Sequence, residues 1–163
     1  MKKNFAVKAW IWWLLALIGI VGFILINGLL DYNASHAFSG WLVRLLGLDS
    51  KAGAEIGDFL LRKLAHITEY SLLGLLTQTI RFLLKKQGKN IKSWVPLLFI
   101  LAVGILDELF QSFSNRTSSV SDVILDFAGA MLGIGVVVVF RECQRRVRQK
   151  RNGTQRHNSK LED

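Results

Sequence analysis

Within GILDELFQSF, residues 104–113, two adjacent carboxylates and one amide interrupt an apolar run that begins at Trp94. They are Asp107, Glu108 and Gln111. Two other apolar stretches are interrupted in the same way, one by Arg62, Lys63, His66, Glu69 and Tyr70, the other by Asp122 and Asp126. Carboxylates and an imidazole in apolar surroundings are groups that can move protons, because burial tunes their proton affinity. Cations beside an amide and a phenol can hold a phosphate or carboxylate. His66, Glu69, Glu108 and Asp126 also supply donors for Zn²⁺ or a harder cation. That metal reading is the weaker one, since the sequence has no HExxH pair and no pair of cysteines. No Ser or Cys nucleophile motif and no phosphate-cradling glycine loop is present.

The elements that must carry these groups are membrane helices. The chain has 163 residues, 51% of them hydrophobic, and a mean hydropathy of +0.33. Such a composition points to one compact membrane domain. Stretches at roughly 9–30, 59–84, 94–113 and 120–140 are each long enough to cross a bilayer, which takes ~20 residues. The expected fold is therefore all-α, a multi-pass bundle of four transmembrane helices. The first stretch is too long for a signal-peptide core, and no small-residue cleavage site follows it cleanly, so it reads as a retained helix. Trp10, Trp12 and Trp13 would lie at one interface. In the loop that follows, Phe38, Trp41, Leu42, Leu45 and Leu46 recur at helical spacing, which predicts a short amphipathic helix on the outer surface.

Net charge is +9, and its placement sets a topology. Lys2, Lys3 and Lys8 precede the first span. Lys85, Lys86, Lys89 and Lys92 lie between the second and third, and RECQRRVRQKR follows the fourth. The positive-inside rule puts both termini and the 85–93 loop in the cytoplasm, with the 31–58 loop and the SNRTSS turn outside. Residues 1–141 then form the membrane domain and 142–163 a basic, disordered cytoplasmic tail. A basic tail beside a membrane helix sets topology or meets anionic lipid, and this is preferred over nucleic-acid binding. The single cysteine, Cys143, falls in that tail and reads as a plain reduced thiol.

With this topology the polar residues of the last three spans share one level, the outer half of the membrane. They also share faces. At 100° per residue, Ser119, Asp122, Asp126, Gly129 and Gly133 fall within an arc of roughly 80°. Gly104, Asp107, Glu108 and Gln111 cover roughly 100°, and Arg62, Lys63, His66, Glu69 and Tyr70 roughly 120°. A charge at the bilayer centre costs about 3 kcal/mol, so these faces should turn inward and form a polar pocket open to the outside. Acids outnumber bases there, which calls for a proton or a further cation. Gly129 and Gly133 form a small-residue packing face.

Each residue also has a plainer role open to it. Asp122 can cap the fourth helix through Ser119-Val-Ser-Asp122. Arg62 can reach outward to headgroups, and Asp107 can support its neighbour Glu108. His66 gains weight from Glu69 and Tyr70 on its own face, while His36 and His157 lie outside the spans and receive no role.

Lys63-x-x-His66-x-x-x-Tyr70, then Glu108-x-x-Gln111, Arg116 and Asp122-x-x-x-Asp126-x-x-Gly129-x-x-x-Gly133, resemble the signature of the VanZ-like family. The likeness covers roughly 57–135. It departs from the family pattern at Asp126, where Asn is common, and in the SNRTSS turn, which lacks the frequent Pro. The resemblance implies a bacterial protein of the cytoplasmic membrane associated with glycopeptide, teicoplanin-type antibiotic resistance. It marks Lys63, His66, Tyr70, Glu108, Gln111, Arg116, Asp122 and Asp126 as the constellation, with Glu69 and Asp107 in support, and assigns no catalytic set.

Two functions follow as expectations. In the first, the pocket binds an envelope component such as a lipid headgroup, a peptidoglycan precursor or a glycopeptide-related ligand. Lys63 and Arg116 meet its anionic group, and Tyr70 and Gln111 orient it. In the second, the protein is an intramembrane hydrolase or transferase on a lipid-linked envelope substrate, with Glu108 as base and His66 as acid or ligand. A small transporter fits less well, because the inner half of the bundle offers no polar path.

Overall fold

The structure is a computed structural model and describes residues 2–29, 51–113 and 119–159. Four helices are described: α1 (Lys2–Leu29), α2 (Lys51–Lys86), α3 (Trp94–Phe113) and α4 (Val120–Ser159). No strand occurs among the described residues. Among the described residues, three stretches are long and apolar enough to cross a membrane: Ile11–Leu29 in α1, Trp94–Phe113 in α3 and Val120–Asn152 in α4. At 36 residues α2 has the length, but Arg62, Lys63, His66 and Glu69 lower its hydropathy. The amphipathic stretch at Phe38–Leu46 lies outside the described residues.

Two helices differ in extent from the sequence reading. α2 begins at Lys51, so residues 51–58 of the expected outer loop belong to it. That segment contains no proline, and Ala52, Ala54 and Glu55 favour helix. α4 continues through the basic segment to Ser159, where a disordered tail was expected from residue 142. Arg, Gln and Lys are good helix formers. Glu142 also reaches Arg145 at 3.7 Å and Arg146 at 3.5 Å, pairs at i,i+3 and i,i+4 that support the extension.

The turn after α2 is built for a sharp stop. Gly88 has φ +84°, and the N–H groups of Gln87 and Lys89 donate to Leu84 O at 3.0 and 3.1 Å, a glycine-capped helix end. Lys85 and Lys86 in the last turn complement the helix dipole. Arg81 pins the segment leading into α3, Nε donating to Ile91 O at 3.1 Å and a terminal nitrogen to Ser93 Oγ at 2.7 Å. At this same end Arg141 of α4 stands 4.0 Å from the centre of the Phe82 ring.

α2 packs against all three other helices, most extensively against α4. Glycines make that seam close. A Cβ on Gly74 would strike the Ala130 carbonyl, one on Gly133 the Ser71 carbonyl, and one on Gly129 would stand 2.8 Å from Ile67 O. Ser71 Oγ donates across the seam to Gly129 O at 2.8 Å. Ile24, Leu73, Ile100 and Val103 form the apolar core with Tyr70 and Ala130. The outside is lined by large apolar side chains, among them Trp12, Leu64, Ile105, Ile124 and Val136, while several acids are buried. Apolar residues outward and charges inward is the arrangement a lipid solvent favours.

Candidate functional site

The buried acids lie where α2, α3 and α4 meet, at the end of the bundle opposite Gly88. α4 supplies Asp122 in its first turn and Asp126 one turn on. Its start is fixed from two sides. Ser119 Oγ accepts the Ser121 N–H at 3.2 Å, the N-cap interaction. The Ser119 N–H donates to Glu108 Oε2 of α3 at 2.8 Å. Glu108 thus takes the acceptor place that a capping box would have given to Asp122.

Asp122 is turned instead toward α2, where it forms an ion pair with Lys63 Nζ. These two side chains are 29% and 21% exposed and form the rim of the site. Lys63 Nζ also stands 5.5 Å from the centre of the Phe59 ring.

Below the rim, His66 Nδ1 lies 3.1 Å from Asp126 Oδ1 and 3.9 Å from Asp107 Oδ2. The imidazole is 17% exposed, Asp126 1% and Asp107 2%. Tyr70 is fully buried and its hydroxyl donates to Asp107 Oδ2 at 3.4 Å. One oxygen each of Glu108 and Asp126, Oε1 and Oδ2, is buried without a hydrogen-bond partner among the described residues. Such orphaned oxygens are uncommon in folded proteins. Gln111 is buried beside this level on α3, and Arg62 is partly buried. Arg116 lies outside the described residues. Gly129 and Gly133 continue the same face of α4 as the seam against α2.

The structure adds residues that the sequence reading left aside. Asn27 Nδ2 of α1 donates to Glu69 Oε1 at 3.4 Å. One residue on, Gly28 lets the α1 backbone approach Asp107, since a Cβ there would stand 2.5 Å from Oδ1. The signal for Asn27 was available, because it is the one polar residue in an otherwise apolar span. Asp107 and Glu108 separate because adjacent residues on a helix point about 100° apart. Asp107 faces Tyr70 and His66, and Glu108 faces the start of α4.

The VanZ/LLP1 family model matches residues 10–141. The chain belongs to the VanZ/LLP1 family. The matched range takes in α1 from Trp10 onward, the whole of α2 and α3, and the apolar part of α4, so every residue of the cluster lies within it. No curated protein and no solved structure matches this VanZ/LLP1 chain.

Chemically the cluster has two tiers. The rim pair can exchange partners, since an anion arriving at Lys63 competes with Asp122 for the same ammonium. The buried tier is an imidazole with its Nδ1 side held by a carboxylate, the arrangement that fixes a histidine's tautomer and leaves Nε2 for other work.

Proposed function

We propose that this VanZ/LLP1 protein is a multi-pass protein of the bacterial cytoplasmic membrane, with both termini inside. Its three-helix polar site binds the anionic headgroup of an envelope component and so contributes to glycopeptide, teicoplanin-type resistance. The observation that carries this reading is the Lys63–Asp122 pair at the partly open rim of an otherwise buried acidic cluster. The basic residues at both termini and in the 85–93 loop support an outward-facing rim. In this reading α2 also spans, with Lys63, His66 and Glu69 turned inward and Leu60, Leu64 and Leu72 toward lipid. A phosphate takes Lys63 from Asp122, and Arg116, in the connection before α4, is the second cation. Tyr70 and Gln111 hold the walls of the site.

The test is binding of a short-chain polyprenyl phosphate to the purified protein in nanodiscs. Lys63→Gln should weaken it about tenfold, the worth of one charge-assisted contact of about 1.4 kcal/mol. Equal affinity in the two proteins would count against the site.

A second reading, an intramembrane hydrolase or transferase, is favoured by the 3.1 Å His66–Asp126 contact. Here Asp126 orients the imidazole, and either its free Nε2 side or Glu108 serves as the base. Glu108→Gln separates the roles, because an amide oxygen still accepts the Ser119 N–H while the base is gone. Full resistance in Glu108→Gln cells removes Glu108 as base, and full resistance in His66→Gln cells removes the dyad.

A further inference from the structure

We propose that His66, Asp107 and Asp126 form a binding site for one divalent transition-metal ion of the Zn²⁺ or Mn²⁺ class. One donor atom from each of the three lies within 4.8 Å of the others. From His66 Nδ1 the separations are 3.1 Å to Asp126 Oδ1 and 3.9 Å to Asp107 Oδ2. An ion held at about 2.1 Å by tetrahedrally arranged ligands sets those ligands about 3.4 Å apart, between the two observed distances. The donors come from two buried acids and one imidazole on three different helices, so the backbone positions them.

An independent observation points to a ligand. Asp126 is 1% exposed, and its Oδ2, on the same carboxylate as the donor Oδ1, is buried with no hydrogen-bond partner among the described residues. A cation between the carboxylates satisfies that oxygen or its neighbour, and it balances two buried negative charges. Among the described residues, the neighbouring charges Lys63, Glu69 and Glu108 are otherwise engaged. Lys63 is paired with Asp122, Glu69 accepts from Asn27, and Glu108 accepts the Ser119 N–H.

The donor set narrows the ion. An imidazole with two carboxylates and no thiolate suits Zn²⁺ and Mn²⁺, whereas Mg²⁺ and Ca²⁺ favour oxygen alone. The Tyr70 hydroxyl on Asp107 and the close approach of Gly28 hold one ligand in place, as hydrogen bonds behind metal ligands do. Three protein ligands leave a coordination position open. Occupation of that position by a headgroup oxygen rests on the function proposed above, while the ion site itself stands on these residues alone.

The experiment uses tag-free full-length protein in detergent, stripped with chelator and dialysed against Zn²⁺ or Mn²⁺, with bound metal counted by elemental mass spectrometry. One ion per chain is expected in the wild type, with at least tenfold weaker binding in Asp126→Asn and in His66→Gln. Mn²⁺-loaded wild type should show ¹⁴N modulation in its electron spin echo envelope spectrum. That spectrum needs no variant to fold, and its lack of nitrogen coupling overturns the site. Wild type that holds no more metal than Asp126→Asn overturns it equally. Lys63→Gln separates the two proposals: it should load metal fully while binding polyprenyl phosphate about tenfold more weakly. Polyprenyl phosphate binding that persists undiminished in metal-stripped wild type overturns the headgroup's place on the ion and leaves the headgroup reading standing.

Discussion

The seam between α2 and α4 has two levels that work by different means. Along Gly74, Gly129 and Gly133 one helix meets the backbone of the other, and the short Ser71 side chain bonds across to Gly129 O. Nearer the start of α4, Lys63 and His66 meet Asp122 and Asp126 through side chains. The backbone level cannot adjust, because no rotamer change opens space for a Cβ against a carbonyl. The side-chain level can exchange partners. The glycines therefore set the separation of the helices, and the polar groups work within it. Stability should be concentrated at the first level and ligand chemistry at the second.

Gly133 offers the largest way to break that division. Gly133→Ala should cost about 3 kcal/mol, at the upper end of overpacking, because the new methyl meets the Ser71 carbonyl. Gly133→Leu should yield no monodisperse protein on size exclusion. Gly19 and Gly135 have open space where a Cβ would stand, so alanine at either should leave the melting temperature unchanged. Asp126 comes next. Asp126→Leu removes the partner of His66 from a buried site and should cost about 2 kcal/mol in a thermal or denaturant melt. Asp126→Asn keeps shape and should cost less than half of that. Glu108→Ala, which strips the acceptor from the Ser119 N–H, should cost about 1 kcal/mol, while Glu108→Gln restores most of it. Lys63→Gln at the rim should cost under about 1 kcal/mol. A Lys63→Gln melt lower than that of Asp126→Leu would erase the distinction between rim and buried tier.

The sequence showed which residues could share a face, and left open what each would touch. Period 3.6 put Asp122, Asp126, Gly129 and Gly133 on one side of α4, because that follows from helix geometry alone. Their partners depend on the register between helices, which no single helix encodes. Hence the Asp122 cap became an ion pair with Lys63, and Glu108 became the acceptor for the start of α4. The set of candidate metal donors shifted for the same reason. Glu69 is drawn to Asn27 and Glu108 to Ser119, and Asp107 stands beside His66 instead. Asn27 escaped notice because a lone amide in an apolar span carries no charge to mark it. The basic end of α4 reads as tail by composition, but its helix is sustained by local side-chain pairs such as Glu142–Arg146.

Teicoplanin susceptibility of cells carrying single-site variants tests the role of the polar cluster most directly, provided membrane abundance of each variant is matched to wild type by immunoblot. On the proposed function, wild type and Gly135→Ala should protect, and Lys63→Gln and His66→Gln should each lose that protection. Protection at the wild-type level from both Lys63→Gln and His66→Gln would contradict the assignment of this cluster as the functional site.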